Sequence, residues 1–121
     1  MRVNYVIVFV PDMPRSVAFY RDVVGLPLPF ESPSWSEFEG GQTTLALHAS
    51  KAPAERGNTP VDLPAGYCRP GFAVTDLAAF HGRMVQHGVR CLEEPKPVQG
   101  VLVAQYVDPD GLGFSVSEPR H

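Results

Sequence analysis

The chain has 121 residues, enough for one domain with a substantial hydrophobic core. Apolar residues make up 44% and charged residues 19%, and the net charge of −3, with scattered basic residues, argues against a nucleic-acid-binding protein. No apolar stretch approaches the roughly 20 residues of a membrane span, and the N-terminus lacks the features of a signal peptide, so we expect a cytoplasmic protein.

The chain begins with a predicted strand and helix. Residues 3–10 are β-branched and aromatic, which predicts a strand buried on both faces. Asp12 is the predicted N-cap of the helix, Pro14 suits its first turn, and Gly25 is the predicted stop. The apolar stripe expected to face the sheet consists of Met13, Val17, Tyr20 and Val24.

Short strands are predicted next, at about 28–31, 34–39 and 42–48, with a tight turn at Gly40-Gly41 between the last two. Residues 50–64 show no hydrophobic periodicity and are predicted to be a linker.

The second half of the chain repeats the pattern. A strand near 66–74 precedes a helix capped by Asp76 and ending at Gly88, whose predicted buried stripe is Leu77, Phe80 and Met84. Three further strands are predicted near 89–94, 101–107 and 113–118, with a turn at 107–111 between the last two.

The order strand, helix and three strands therefore occurs twice, which indicates an internal duplication. We predict an α+β fold in which two βαβββ modules form a curved, half-closed, barrel-like sheet around a cleft. The chain is then a single domain, with module one at about 1–49, the linker at about 50–64 and module two at about 65–121. Apolar surface left at the sheet edges would favour a homodimer.

Two motifs carry a family resemblance. The segments Val10-Pro11-Asp12 to Leu26 and Tyr106-Val107-Asp108-Pro109-Asp110-Gly111 resemble the vicinal oxygen chelate superfamily of glyoxalase I, extradiol dioxygenases and bleomycin resistance proteins. The resemblance spans about residues 3–118. It implies the paired-module fold, whereas it leaves the activity open because this fold serves many chemistries.

The resemblance also implies where enzymes of this superfamily hold a divalent metal: one ligand early in the first strand and one in the last strand of each module. In this chain those positions are Tyr5, Ala46, Arg69 and Ser115. Arginine repels a cation, alanine offers no donor, and serine and tyrosine are poor ligands for divalent metals. We therefore predict no metal and no other cofactor.

Other groups are candidates for binding a ligand in the cleft. His48 is predicted to share a sheet face with Ala46, as a hydrogen-bonding group or proton shuttle, or else it is a half-exposed strand end. Arg69 either clamps an anionic ligand group or forms an ion pair with a glutamate. The other histidines, His81, His87 and His121, are interpreted as surface groups.

Aromatic residues are predicted to line the same cleft. Tyr5 offers a hydroxyl and a stacking face, or packs in the core with its tip at the rim. Trp35 is an anchor for a flat ligand, or else a packed or dimer-interface residue. Phe38 and Tyr106 are predicted to join them, whereas Glu37 and Glu39 are interpreted as solvated surface carboxylates.

These observations favour a small-molecule-binding protein that holds an aromatic or anionic ligand without metal, in a cleft lined by Tyr5, Trp35, Phe38, His48, Arg69, Tyr106 and Ser115. Whether the protein is an enzyme stays open. The alternative is a metal-dependent lyase, isomerase or dioxygenase with a displaced ligand set that includes His48, or a metal-free reaction in which His48 or Tyr5 acts as acid or base. A partner-binding domain that recruits a peptide at a sheet edge is a third hypothesis.

Overall fold

The computed structural model describes residues 1–51, 63, 65 and 67–119. The chain divides into two compact units, Met1–Glu55 and Arg56–His121. Most of the predicted linker at 50–64 lies outside the described residues. No helix in the described part of the chain has the length and apolar character needed to cross a membrane.

The first unit is a three-stranded sheet with one helical segment. Its elements are β1 (Tyr5–Val10), α1 (Met13–Ala18), a π-helical segment (Phe19–Val24), β2 (Trp35–Gly40) and β3 (Thr43–Ala49). The strand order is β1-β3-β2, so β3 is central, parallel to β1 and antiparallel to β2.

The helix of the first unit begins and ends as its sequence predicts. The Asp12 carboxylate accepts a hydrogen bond from the backbone N–H of Arg15 at 3.1 Å, which satisfies one of the free donors of the first turn. Gly25 ends the segment with φ of 98°, in the left-handed region that glycine adopts without strain. The predicted stripe is confirmed, because all its members are buried: Met13, Val17, Tyr20 and Val24.

Two expectations for the first unit are wrong. The strand predicted at 28–31 is a single bridge between Phe30 and Glu37, because prolines at 27, 29 and 33 remove backbone donors that a ladder requires. Strand β1 is not buried on both faces. It lies at a sheet edge, and its alternate residues Tyr5, Ile7 and Phe9 are 42%, 46% and 63% exposed.

The second unit is a four-stranded sheet with one helix. Its elements are β4 (Gly71–Ala73), α2 (Leu77–Gln86), β5 (Cys91–Val98), β6 (Val101–Val107) and β7 (Gly113–Glu118). The strand order is β4-β7-β6-β5, with β4 parallel to β7 and the other pairs antiparallel. The predicted α+β class and the strand–helix–strands pattern of each unit are confirmed.

The termini of the second unit's elements follow the predicted signals. The Asp76 carboxylate accepts from the backbone N–H of Ala79 at 3.0 Å and caps α2. The stripe of Leu77, Phe80 and Met84 is buried as predicted. Between β6 and β7 the carboxylate of Asp108, itself buried, accepts from the backbone N–H groups of Asp110 and Leu112 at 2.9 Å each. These bonds fix the turn and hence the register of β6 with β7.

Candidate functional site

The three-stranded sheet has one face packed under the helical segment, and its other face exposes Tyr5, Ile7, Phe9 and His48. Direct partners in neighbouring strands share a face, so the register places Ile7 with Ala46 and Phe9 with His48. On the other strand pair it places Trp35 with His48 and Glu37 with Ala46. We use the name open face for the side that carries Tyr5, Ile7, Phe9, Trp35, Glu37, Glu39, Thr44, Ala46 and His48.

Four rings form a continuous row on the open face. The centroids of Tyr5 and Trp35 are 6.1 Å apart at 63°, and those of Trp35 and His48 are 6.1 Å apart at 90°. Phe9 continues beyond His48 at 5.3 Å and 49°. These are the edge-to-face and tilted geometries that aromatic pairs prefer. We call these four residues the ring row.

Trp35 is held in place from both its backbone and its side chain. The Ser32 hydroxyl donates to the Trp35 carbonyl oxygen at 2.6 Å and accepts from the Trp35 N–H at 3.1 Å. The indole Nε1–H donates to the Glu37 Oε2 at 2.8 Å. A ring fixed in this way loses little conformational entropy when a ligand binds against it.

The hydrogen bond of His48 fixes its tautomer. The Nδ1 atom lies 2.7 Å from the carbonyl oxygen of Ala49. Because a carbonyl oxygen only accepts, Nδ1 carries the proton of this bond. The neutral ring therefore presents Nε2 as a hydrogen-bond acceptor, and the side chain is exposed on the open face.

The second unit contains the predicted site residues Arg69 and Ser115. Ser115 of β7 is half-buried, and it is paired with Gly71 on one side and with Gln105 on the other. A Cβ on Gly71 would lie 3.0 Å from the Ser115 hydroxyl oxygen, so glycine leaves room beside it. Arg69, just before β4, is half-buried and interacts with a neighbouring group.

Two predicted site residues belong to the core instead. Phe38 is 0% exposed and its ring lies 6.0 Å from that of Tyr20, on the helix side of the sheet. Tyr106 is likewise 0% exposed, and its ring contacts Phe80 of α2 at 5.7 Å. This placement corrects the expectation that Phe38 and Tyr106 line the binding surface, since both pack against helices.

His81 is also not the surface group that its sequence predicts. It is half-buried on α2, and its Nδ1 lies 2.8 Å from the Tyr106 hydroxyl. Burial raises the pKa of Tyr106 above its ordinary value, so the phenol keeps its proton in this hydrogen bond. The pair links the helix of the second unit to its sheet.

Several residues of interest were missed in the sequence. Phe9 and Ile7 share a face with Tyr5 by simple alternation, and Glu37 shares one with Trp35, so the signal was present. Gln105 carries a buried side-chain oxygen, Oε1, with no hydrogen-bond partner among the described residues. Nothing in its local sequence marks it.

Comparison with known proteins identifies the family. The model of the Glyoxalase/Bleomycin resistance protein/Dioxygenase superfamily matches residues 2–116. The chain belongs to this superfamily. The structure is also similar to a glyoxalase/dioxygenase from Nostoc punctiforme, with a TM-score of 0.83, 16% identity, and coverage of 99% of this chain and 92% of that one.

Two further similar proteins are informative. TnmS3, an antibiotic binding protein from Streptomyces sp. CB03234, is 24% identical with a TM-score of 0.77, over 99% of this chain and 97% of that one. A probable chloroplastic lactoylglutathione lyase of Arabidopsis thaliana is 29% identical over 97% of this chain. The chain spans only 35% of the length of that curated relative.

The residues present do not fit the divalent metal that superfamily enzymes hold. Ala46 offers no donor and is completely buried. Across the described residues, no three histidine, cysteine, aspartate or glutamate side chains come together in a way that would hold a metal ion. His48 offers one nitrogen, whereas a metal site needs three or four protein ligands. That the protein uses no metal stays a prediction.

Proposed function

We propose that the protein binds a small molecule with a flat, apolar body on the open face of its first unit, without a metal. The observation that carries this proposal is the ring row, in which four aromatic side chains lie side by side on exposed sheet surface. Exposed apolar patches of this kind mark ligand or partner sites in soluble proteins. That TnmS3 is described as an antibiotic binding protein supports a binding role within the superfamily.

Trp35 provides a direct test, because it is the only tryptophan in the chain. Titrating flat aromatic compounds is expected to change the intrinsic fluorescence of Trp35 in a saturable way. We expect Trp35→Ala to weaken the binding of such a compound, measured by calorimetry, by about tenfold or more, because anchor aromatics contribute about 2 kcal/mol or more to binding.

The matched control is Val85→Ala, which removes an exposed apolar side chain from α2. Its affinity is expected to equal that of the wild type. Saturable binding with equal affinity in wild type and Trp35→Ala would contradict the assignment of the site to the ring row.

A lyase, isomerase or dioxygenase is the second candidate function, favoured by the similarity to the Arabidopsis lactoylglutathione lyase. The donor set argues against its metal-dependent form, because the four implied ligand positions carry Tyr5, Ala46, Arg69 and Ser115. Conversion of a bound compound, followed by NMR, would support the enzymatic alternative. Loss of that conversion in His48→Ala would assign it to the open face.

We also propose that two copies of the chain associate through the outer edge of β1, which pairs with no other strand among the described residues. The backbone N–H groups of Thr44 and Ser50 bond the carbonyl oxygens of Asn4 and Val10, so even-numbered residues of β1 face β3. The backbone groups of Tyr5, Ile7 and Phe9 consequently point to the other edge. This edge lacks the proline and charged residues that usually protect edge strands.

The dimer is tested by Ile7→Pro, which removes an outward backbone donor and leaves the ladder with β3 intact. In size-exclusion chromatography with light scattering, we expect the wild type to have twice the mass of one chain and Ile7→Pro to have the mass of a monomer. Circular dichroism is expected to show that Ile7→Pro is folded. A wild-type protein that stays monomeric at high concentration would disprove the dimer.

A further inference from the structure

The charges around the ring row bear on which ligands it accepts. The three strands that build the open face, β1, β2 and β3, contain two carboxylates, Glu37 and Glu39, and no lysine or arginine. Both glutamates lie on the same face as Trp35, by alternation along β2. The charged side chains that these strands place on the open face are therefore all negative.

Glu37 lies beside the ring row. Its Oε2 accepts the indole N–H of Trp35 at 2.8 Å, which keeps the carboxylate beside the ring, and the residue is half-buried. A carboxylate of which one oxygen bonds an indole keeps its second oxygen for another donor. Partial burial also weakens solvent screening of its charge.

His48 does not offset this negative charge in its neutral form. Its Nδ1–H is directed to the Ala49 carbonyl oxygen at 2.7 Å, so the ring offers the lone pair of Nε2. Aromatic faces carry a negative quadrupole that attracts cations, and tryptophan does so best. Rings, carboxylate and imidazole lone pair all favour positive charge at the same place.

We infer that the ligand of the open face is an organic cation, with an ammonium or related group on an apolar or aromatic body. The inference rests on the proposed function and adds the charge of the ligand to it. It argues against the anionic ligand that Arg69 implied, because an anion would lie against Glu37 and Glu39.

The test compares three probes of similar size: benzyltrimethylammonium, benzyl alcohol and phenylacetate. Their binding is followed by the fluorescence of Trp35 and by calorimetry. We expect the cation to bind about threefold to tenfold more tightly than the alcohol, and phenylacetate to bind most weakly. Added salt is expected to weaken binding of the cation and to leave that of the alcohol unchanged.

Glu37→Gln is the matched variant, because glutamine keeps one oxygen that can accept the indole N–H and removes the negative charge. Its affinity for benzyltrimethylammonium is expected to fall about threefold to tenfold, with benzyl alcohol unaffected. Glu39→Gln removes an equal charge from the exposed end of the same strand, so its effect is expected to be smaller.

The outcomes separate the two proposals. The inference is overturned, and the proposed function kept, if phenylacetate or benzyl alcohol binds saturably with the same affinity as benzyltrimethylammonium. The same conclusion follows if Glu37→Gln binds the cation in preference to the alcohol as strongly as the wild type does. Absence of saturable binding by all three probes, with folded protein confirmed by circular dichroism, overturns both.

Discussion

Replacing Phe38 by alanine is expected to lower the free energy of unfolding by about 3–5 kcal/mol. The side chain is completely buried, and its ring packs 6.0 Å from that of Tyr20 in the π-helical segment. Alanine would leave a cavity between sheet and helix that the close-packed surroundings fill only in part.

Urea denaturation of wild type and Phe38→Ala measures this difference. Phe38→Leu is the conservative control, and it is expected to lose less because it keeps most of the buried volume. Trp35→Ala is expected to lose ligand affinity and to lose less stability than Phe38→Ala, because Trp35 is only half-buried. If Phe38→Ala lost ligand affinity with unchanged stability, Phe38 would belong to the binding surface after all.

Phe38 also shows which part of the site was predictable. Trp35 and Phe38 are three residues apart in one strand, so alternation forbids both from lying on the same face. The aromatic composition of the segment was informative about binding, but only the position of the helix over Phe38 decides which face is open. Tyr5, Trp35 and His48 lie on one face of the sheet, and their ligand-binding role stays a prediction.

The local elements were predictable where local chemistry determines them. Asp12, Asp76 and Gly25 mark helix ends because they satisfy backbone groups or adopt positive φ, and these effects need no distant partner. The exposure of β1 was not predictable in this way. A run of β-branched and aromatic residues is equally compatible with a central strand and with an edge strand that presents an apolar face.

In the second unit, the pairing of β6 with β7 separates two residues that were both predicted to line the binding surface, Tyr106 and Ser115. Asp108 fixes the turn so that Tyr106 pairs with Phe114, and Gln105 with Ser115. Adjacent residues in a strand point to opposite faces, so Tyr106 and Ser115 were never compatible on one surface. The hydrogen bond between Tyr106 and His81 forms only when the helix packs on the sheet, which no local pattern specifies.

The second large loss of stability is expected on replacing Tyr106. Replacing it by alanine is expected to cost about 3–5 kcal/mol of unfolding free energy, because the completely buried ring contacts Phe80 and Phe114. Tyr106→Phe keeps the ring and removes only the hydroxyl that bonds His81, so its expected cost is about 1 kcal/mol. Urea denaturation near neutral pH measures both, and an alanine variant as stable as the phenylalanine one would contradict the packing role.

The hydroxyl of Tyr106 is also expected to make stability depend on alkaline pH. Burial raises the pKa of Tyr106 in the folded protein, whereas the unfolded chain releases this proton at about pH 10. Above that pH the unfolded state binds fewer protons, so its free energy falls relative to the folded state. The contribution is intact below about pH 10 and is lost above it, by up to about 1.4 kcal/mol per pH unit. The measurement compares the unfolding free energies of wild type and Tyr106→Phe from neutral pH to about pH 11. Tyr106→Phe is expected to lose stability less steeply with pH, because its unfolding releases up to one proton fewer in this range. Identical slopes in the two proteins would show that the phenol ionises as readily in the folded chain as in the unfolded one.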